Sequence, residues 1–404
     1  MTGGILAGMR VIEGSAFVAA PLGGMTLAQL GADVIRFDQI GGGLDYGRWP
    51  LAPSGQSLFW AGLNKGKRSI QLDLRHPEAQ EIIAALIAAP GKDGGVFLTN
   101  LPARGALTYE ALRARREDVI LLQVTGNPDG SSEVDYTVNA AMGFPVATGP
   151  RGGQMPVNAV LPAWDVALGE MAAIGILAAE RRRMRSGQGA HVKLALSDVA
   201  LAVTAALGRL TQAELGDAAL PDGNHLYGAF GHDFATRDGR QVMVVGLTGR
   251  QWAALKQATG LDVARLSAET GLDLDEEGGR YAARDAIVAA LAPWFAARTL
   301  DEIAQHFAET GVSWSPYRTF RQMLSEDPRA SLANPMVSRV DQPGIGSVLS
   351  AASPLDFSGL ERLPARPAPI LGEHTDEILR ELGLSAGEIG RLHDRGIVAG
   401  PARG

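Results

Sequence analysis

The sequence predicts an α/β protein with a mostly parallel sheet in a large first domain and a smaller α+β second domain. In the N-terminal half, short apolar runs alternate with helical patterns, and after Pro221 the pattern changes to a hairpin followed by helices. Such alternation is typical of a parallel sheet covered by helices on both faces, with right-handed crossovers. The length of 404 residues suits two domains, or one large domain carrying an insertion. We place the large domain at 1–221 and 329–404 and the small domain at 222–328.

The alternation begins with a βαβ unit, formed by a strand at 10–13, a helix at 21–30 and a strand at 33–38. Pro21 suits the first turn of this helix, where the missing N–H has no partner to lose, and Gly31 ends it. The same pattern predicts strands at 69–74, 96–99, 119–125 and 191–196, and helices at 77–88, 109–116, 166–185 and 198–215.

Two other regions depart from this alternation. Residues 126–162 are rich in Gly, Pro, Asn and Ser and predict long loops, which often carry function. Residues 234–245 predict a hairpin with Asp238-Gly239 at its turn. The remaining elements predicted are helices at 250–259, 280–297, 300–309, 375–382 and 385–392, and a strand at 312–317.

Composition and charge exclude several classes of function. The formal net charge of −7 disfavours a partner that is nucleic acid or an anionic membrane. The chain has no cysteine, which excludes disulfides and thiolate chemistry and fits the cytoplasm. The first ten residues lack a secretory pattern, and the longest apolar stretch, 166–179, is too short to span a bilayer. No H-E-x-x-H pair and no G-x-S-x-G elbow occurs, so we expect neither a bound metal nor a serine hydrolase.

Two glycine-rich or basic motifs leave simpler interpretations open. Gly41-Gly-Gly43 follows the second strand and lacks the G-x-G-x-x-G spacing, which favours a flexible loop over a nicotinamide site. Lys65-Gly-Lys-Arg68 concentrates positive charge before a strand. A solvated turn and a site for ligand phosphates remain equally open there, because charged hydrogen bonds favour phosphate.

Asp165 is the strongest candidate for chemistry. It lies in Leu161-Pro-Ala-Trp-Asp165, where a long apolar helix begins, and the simplest interpretation is an N-cap. A carboxylate at a helix start is also placed for catalysis. We expect the helix dipole to keep it ionised and nearby backbone N–H groups to stabilise an oxyanion.

Five stretches in the same order resemble the family III CoA-transferases. They are Leu30–Arg36, Asn64–Asp73, Asn100, Asp165 with its helix and the turn at 183–192, and Leu371–Leu379. The resemblance implies a Rossmann-like large domain built from both ends of the chain, a small domain, and a homodimer of two interlocked open rings. It further implies an acyl-CoA substrate.

The resemblance also implies site residues. The nucleophile falls on Asp165, and contacts to CoA fall on Val18, Ala19, Gln39, Leu72, Asp73, Leu74, Arg75, Asn100, Leu101, Pro102, Arg104, Asp135 and Tyr136. Gln39 and Val134 stand where relatives carry basic residues, and Val18 stands where one carries an amide. Contacts to the CoA phosphates are therefore expected to shift to Arg36, Arg75 or Arg104.

The resemblance implies covalent transfer of CoA through Asp165. A closer likeness within the family, carried by 14–24, 135–139 and 224–231, implies transfer between the two carboxyl groups of one unsaturated diacid, with a place in 3-hydroxypropionate carbon fixation. No cofactor is expected beyond the CoA moiety of the substrate. Tyr227 and Gly228 belong to a candidate lid, and an inter-domain linker is equally open for this loop. Arg48 and His225 are candidates to hold the free carboxylate, with a surface role as the simpler interpretation of each.

Transfer between two different acids and a non-catalytic CoA-binding protein remain alternatives. Acyl-CoA racemases of this architecture need a histidine beside the aspartate. None lies between His76 and His191, which disfavours racemisation.

Overall fold

The computed structural model describes residues 3–216 and 219–401. Its strands are β1 Arg10–Gly14, β2 Asp33–Gln39, β3 Arg68–Leu72, β4 Val96–Thr99, β5 Ile120–Thr125, β6 Ala190–Ala195, β7 Phe230–Ala235, β8 Gln241–Gly246, β9 Ser313–Pro316, β10 Val337–Gln342, β11 Gly346–Ala351 and β12 Val398–Ala399. Its first nine helices are α1 Ala19–Gln29, α2 Leu58–Leu63, α3 Pro77–Ala88, α4 Tyr109–Arg115, α5 Asp135–Ala141, α6 Phe144–Ala147, α7 Ala163–Ser186, α8 Leu196–Ala206 and α9 Arg209–Glu214. The others are α10 Gly249–Thr259, α11 Val263–Thr270, α12 Glu277–Ala282, α13 Arg284–Ala296, α14 Leu300–Phe307, α15 Phe320–Glu326, α16 Thr375–Glu381 and α17 Ala386–Asp394.

A seven-stranded sheet organises the first part of the chain. Its order is β12-β3-β2-β1-β4-β5-β6, and the strands are parallel except for β12, which pairs antiparallel with β3. The predicted α/β class with a mostly parallel sheet is therefore confirmed. The chain reverses its direction of winding between β1 and β4. In doubly wound sheets ligands bind at this point, beyond the carboxyl ends of the two strands.

The C-terminal residues complete one edge of this sheet. The hydroxyl of Thr375 accepts a hydrogen bond from the backbone N–H of Gln71 and donates one to the carbonyl of Ala399. The ring Nδ1 of His374 accepts from the N–H of Ser69. The Leu371–Leu379 stretch thus joins β3 to the end of the chain.

Helices α1 and α7 lie against each other closely enough to require glycine at their contact. A Cβ built on Gly169 would lie 2.7 Å from the carbonyl oxygen of Ala19, and one built on Gly23 would lie 2.9 Å from the carbonyl oxygen of Gly169. A side chain at either position would force the helices apart. The contact therefore fixes the helix that carries Asp165 on the helix that follows β1.

The contacts divide the chain into two units, the first formed by Met1–Met142, Ala159–Gly216 and Pro328–Gly404 and the second by Gly143–Asn158 and Asp217–Asp327. The second unit contains the antiparallel sheet β7-β8-β9 and its own apolar core. Segment 143–158 belongs here by contact, whereas the predicted ranges put it in the large domain. Its Arg151 pairs with Asp222 at 2.6 Å and with Asp285 at 2.8 Å. The predicted boundaries otherwise remain predictions.

Several predicted elements need correction. The stretch 126–162, predicted as loops, contains α5 and α6. The helix predicted at 198–215 is two helices, α8 and α9, because Gly208 interrupts it with a φ of 74°. Within 3–216 and 219–401, no helix has both the length and the apolar content needed to cross a membrane. In the same residues no group of three or more potential ligands is placed to hold a metal ion.

Candidate active site

The turn that follows β1 lies at the reversal of the sheet and is held by the residue that follows β4. The side-chain amide of Asn100 accepts from the N–H of Ala16 at 2.9 Å and donates to its carbonyl at 2.8 Å. The next residue, Phe17, has a φ of 66°, which is strained for a side chain of this size. A strained turn at a ligand-binding point of the fold is a feature of functional sites.

Asp165 lies in the first turn of α7 and is not its cap, so the predicted helix start at 166 was wrong. The helix begins at Ala163 after Pro162. Its first N–H groups are satisfied from another part of the chain, because Oδ2 of the buried Asp135 accepts from Trp164 N at 2.8 Å and from Asp165 N at 3.1 Å. The cap of α7 therefore comes from α5, and this leaves the Asp165 side chain unused by the helix start.

The electrostatic surroundings of Asp165 differ from the expectation. Burial raises the pKa of Asp165 to about 6, the nearby Asp135 carboxylate adds to the rise, and the Arg48 guanidinium opposes it. The helix dipole was expected to keep Asp165 ionised, whereas burial and Asp135 make its ionisation harder than that of an ordinary aspartate. The N–H groups of Trp164 and Asp165 are also occupied and do not offer themselves to an oxyanion.

Arg48 is the one candidate for carboxylate binding that the first unit places near Asp165. Its guanidinium lies over the rings of Phe17 and Phe59, at 5.4 and 5.0 Å from their centroids. The residue is exposed, and its charge reaches Asp165. It is therefore available to an anionic ligand.

A buried ion cluster lies beneath the start of α1, which sequence reasoning did not find. The Arg36 guanidinium is fully buried and donates to Asp38, Asp45, Asn64 and the carbonyl of Ser15. The group is closed to solvent and held by these partners, so it is not available to a phosphate. The suggestion that Arg36 binds the CoA phosphates was therefore wrong.

The basic motif 65–68 is also committed to the protein. Lys67 is buried against Glu13, and Arg68 pairs with Asp33, at 2.8 Å in both cases. Lys65 donates to the carbonyl of Ala351. These contacts favour a structural role over the phosphate site left open by the sequence. The sequence carries one signal for the buried pair of Glu13 and Lys67. The apolar strand β1 has a carboxylate near its end, and a lysine comes just before β3.

The predicted CoA residues fall into three groups. Ala19, Leu72 and Asp135 are buried, and the leucine packs in the core of the sheet, which leaves only its main chain for a ligand. Val18, Asp73, Leu74, Asn100 and Leu101 are half-buried around the strand ends. Gln39, Arg75, Pro102, Arg104 and Tyr136 are exposed. Gln39 donates to the carbonyl of Gly42, whereas Arg75 and Arg104 are the exposed cations of the set.

The remaining candidates lie in the second unit. The ring of His225 stacks on His232 at 4.2 Å, and burial together with this neighbour lowers the pKa of His225. Tyr227 is exposed and packs its edge on Tyr281, and Gly228 has a φ of 79°.

The doubly wound sheet and a half-buried aspartate at its ligand-binding side define the class of protein. The model of CoA-transferase family III matches residues 6–375, and the chain belongs to this family. It is 60% identical over 405 residues, 99% of each chain, to 2-methylfumaryl-CoA isomerase of Chloroflexus aurantiacus. It is 28% identical to succinyl-CoA:mesaconate CoA-transferase of Haloarcula marismortui, over 95% of this chain and 98% of that one. The crystal structure of a CAIB/BAIF family protein from Brucella suis superposes with a TM-score of 0.77 at 25% identity, covering 94% of this chain and 100% of that chain.

Proposed function

We propose that this chain isomerises 2-methylfumaryl-CoA (mesaconyl-C1-CoA) to 3-methylfumaryl-CoA (mesaconyl-C4-CoA). CoA moves from one carboxyl group of the C5 diacid to the other. The observation that carries the proposal is the 60% identity, over 99% of both chains, to a relative named for isomerisation of 2-methylfumaryl-CoA. The relative named for transfer between succinyl-CoA and mesaconate is 28% identical, which supports the intermolecular alternative less strongly.

In the first half of the proposed reaction, a carboxylate oxygen of Asp165 attacks the thioester carbonyl. The C–S bond breaks, which gives a mixed anhydride and free CoA thiolate. The thiolate then attacks the Asp165 carbonyl carbon. An aspartyl-CoA thioester forms, and the diacid leaves as a carboxylate. Covalent catalysis of this kind divides one difficult step into easier ones.

In the second half, the same diacid attacks the aspartyl thioester with its other carboxylate. This forms a second anhydride and frees the thiolate, which attacks the C4 carbonyl and restores Asp165. Holding the diacid in place between the halves replaces a bimolecular encounter, an effect worth about 7–11 kcal/mol for aligned groups. No cofactor beyond the CoA moiety enters these steps, and this, like the cytoplasmic location, stays a prediction.

The protonation state of Asp165 supports its role as nucleophile. With a pKa of about 6 the carboxyl group is mostly ionised at neutral pH. It is also more basic than an ordinary aspartate, and nucleophilic strength rises with basicity. Burial and the like charge of Asp135, which raise the pKa, thereby make the attacking oxygen more reactive.

Arg48 is our candidate for holding the free carboxylate of the diacid. A guanidinium matches a carboxylate with two parallel hydrogen bonds, and its stacking on Phe17 and Phe59 limits its freedom. Our candidates for binding the CoA phosphates are Arg75 and Arg104, whose side chains are exposed. His225 and the lid at Tyr227 and Gly228 stay predictions.

We also infer the interlocked homodimer that the family resemblance implies. Support comes from large apolar side chains exposed on α7, α8, α9 and the turn between α8 and α9, since a monomer rarely leaves a large apolar surface open. They are Met171, Ile174, Leu201, Leu207 and Leu210. Sedimentation equilibrium should give twice the chain mass of 42.4 kDa.

The test of the isomerase is conversion without a second acid. Incubated with mesaconyl-C1-CoA alone, the protein should form the C4 isomer, followed by chromatography. With isotopically labelled free mesaconate added, the product should carry little label. A requirement for added acid, or full exchange of label, would favour the intermolecular transferase. Hydroxylamine should trap the aspartyl-CoA adduct as a hydroxamate at Asp165, which mass spectrometry of the digested protein would locate.

A further inference from the structure

We propose that Lys67 is a positioning residue, whose buried ammonium holds the turn after β1 and the start of α1 in the arrangement that binds the CoA thioester. Nothing in its sequence neighbourhood or in the comparisons assigns this role. The inference rests on the proposed function, because it concerns how the thioester is held beside Asp165.

The ammonium group of Lys67 is fully buried and uses all three of its donors. Nζ donates to Glu13 Oε1 at 2.8 Å, to the carbonyl of Pro21 at 2.8 Å and to Asn64 Oδ1 at 2.9 Å. Pro21 lies in the first turn of α1 and Glu13 near the end of β1. One side chain therefore links the strand before the turn to the helix after it.

The turn between these two anchors is held by the same cluster. Arg36 donates to the carbonyl of Ser15 at 2.9 Å, and the Ser15 hydroxyl donates to Glu13 Oε1 at 2.6 Å. The left-handed conformation of Phe17 comes two residues later. A strained backbone conformation persists only where the surrounding structure holds it in place. The buried cluster holds the turn from below.

The effect reaches Asp165 through α1. The carbonyl of Ala19, at the start of α1, faces Gly169 of α7, one turn beyond Asp165. Because α1 and α7 touch backbone to backbone there, a shift at Pro21 displaces the helix that carries the nucleophile. Lys67 thus sets the distance between the turn and Asp165 without touching substrate.

The charge of Lys67 can be removed by pH. Burial lowers the pKa of Lys67 to about 8, Glu13 opposes this, and Arg36 adds to it. The other charged groups of the cluster are Asp38 and Asp45, both bound to Arg36. Above this pH the neutral amine has two hydrogens for three acceptors and no ion pair with Glu13. The turn after β1 and the start of α1 should therefore be held less firmly.

The experiment measures KM and kcat for mesaconyl-C1-CoA, and the Kd of CoA by calorimetry, between pH 6 and pH 10. In the unaltered protein, KM and Kd should rise above pH 8 by about tenfold, an ordinary size for the coupling between a proton and a ligand bound at linked sites. The value of kcat should change less, because Lys67 holds the binding turn and does not touch the reacting atoms. We call this rise of KM and Kd with pH the alkaline limb. Glu13→Gln removes the charge that favours the ammonium and should move the limb to lower pH. Lys67→Arg stays charged and should remove the limb.

Lys92→Met is the matched control. Lys92 is an exposed lysine in the turn before β4, at the amino ends of the strands, and its loss should leave the pH dependence of KM and Kd unchanged. Lys67→Met, if its circular dichroism is native, should show the raised KM at every pH.

A limb that stays at the same pH in both Glu13→Gln and Lys67→Arg, or one confined to kcat, would overturn the inference. The Kd for CoA needs no turnover. A Lys67-dependent limb in Kd without isomerisation would uphold the inference and reject the proposed function, and isomerisation with no such limb would do the reverse.

Discussion

Two clusters of acidic and basic side chains lie on the same sheet, and they differ in their exposure to solvent. At the amino ends of β1, β2 and β3, Arg10, Asp33 and Arg68 form ion pairs that extend to Glu381 on α16, and all are partly exposed. Beneath the start of α1, the cluster of Glu13, Arg36 and Lys67 with their partners is closed to solvent.

The two clusters differ in the free energy that is lost when their charges are removed from water. Exposed pairs gain little and lose little when broken, since water replaces each partner. Buried ions lose their hydration on folding, and their attraction only repays that cost when every partner is in place. The buried cluster lies directly under the strained turn, and the position it enforces there explains it better than a gain in stability does.

The largest expected effect is on activity. Asp165→Ala should lower kcat by at least about a thousandfold, as loss of a covalent nucleophile does, while native circular dichroism and CoA binding persist. Glu381→Ala, in the exposed cluster, should leave kcat within about twofold, because its ion pairs lie at the amino ends of the strands and are partly exposed. Turnover assays with mesaconyl-C1-CoA measure both, and an active Asp165→Ala protein would end the covalent mechanism.

The next effect is on stability. Lys67→Met should lower the free energy of unfolding by about 3–5 kcal/mol, because it leaves the Glu13 carboxylate buried without its ion pair. Arg10→Met should cost about 0–1 kcal/mol. Urea unfolding of each variant gives the two values.

The double variant Glu13→Leu with Lys67→Met sharpens this result. Its free energy of unfolding should fall by less than that of Lys67→Met alone, because both charges of the Glu13–Lys67 ion pair are then removed together. Equal losses for Lys67→Met and Arg10→Met would show that the two clusters do not differ as described.

The smallest effect is a shift in pH dependence. The acid limb of kcat/KM should lie near pH 6, because the attacking group is the ionised form of Asp165 and its pKa is about 6. Asp135→Asn keeps an oxygen for the N–H groups of α7 but removes the like charge, so the limb should move to lower pH. Arg48→Met removes the charge that opposes the rise, so the limb should move to higher pH. The two variants moving the limb in the same direction would contradict this assignment.

Most of the large sheet could be predicted from the sequence because its elements carry local signals. Helix α3 has Pro77 at its first position and an apolar face, and its predicted bounds agree with those observed. Strands β2, β4 and β5 are apolar runs bounded by turn residues and were placed within one residue at each end. The hairpin β10–β11 was missed, since its strands alternate weakly and Gly344 and Gly346 at its turn lie in a stretch rich in small residues.

The details of the site could not be predicted because they depend on distant parts of the chain. The cap of α7 is a carboxylate 30 residues earlier in the sequence, so Asp165 looked like the cap itself. Arg36 resembled a free cation because its partners, such as Asn64, lie on other elements. Asp165 could be singled out by its place before a long helix, whereas the pKa it acquires follows from burial that only packing creates.

The pairing of β12 with β3 joins two segments that lie far apart in the sequence. Gln71 and the carbonyl of Gly400, 329 residues apart, meet at 2.9 Å on the outer edge of the sheet. During synthesis, β3 therefore leaves the ribosome long before the strand that covers it. Its exposed backbone groups are an open template for pairing with other nascent chains until residues 398–399 arrive. Residues 398–399 thus cover an edge of the sheet whose other strands all precede them in the sequence.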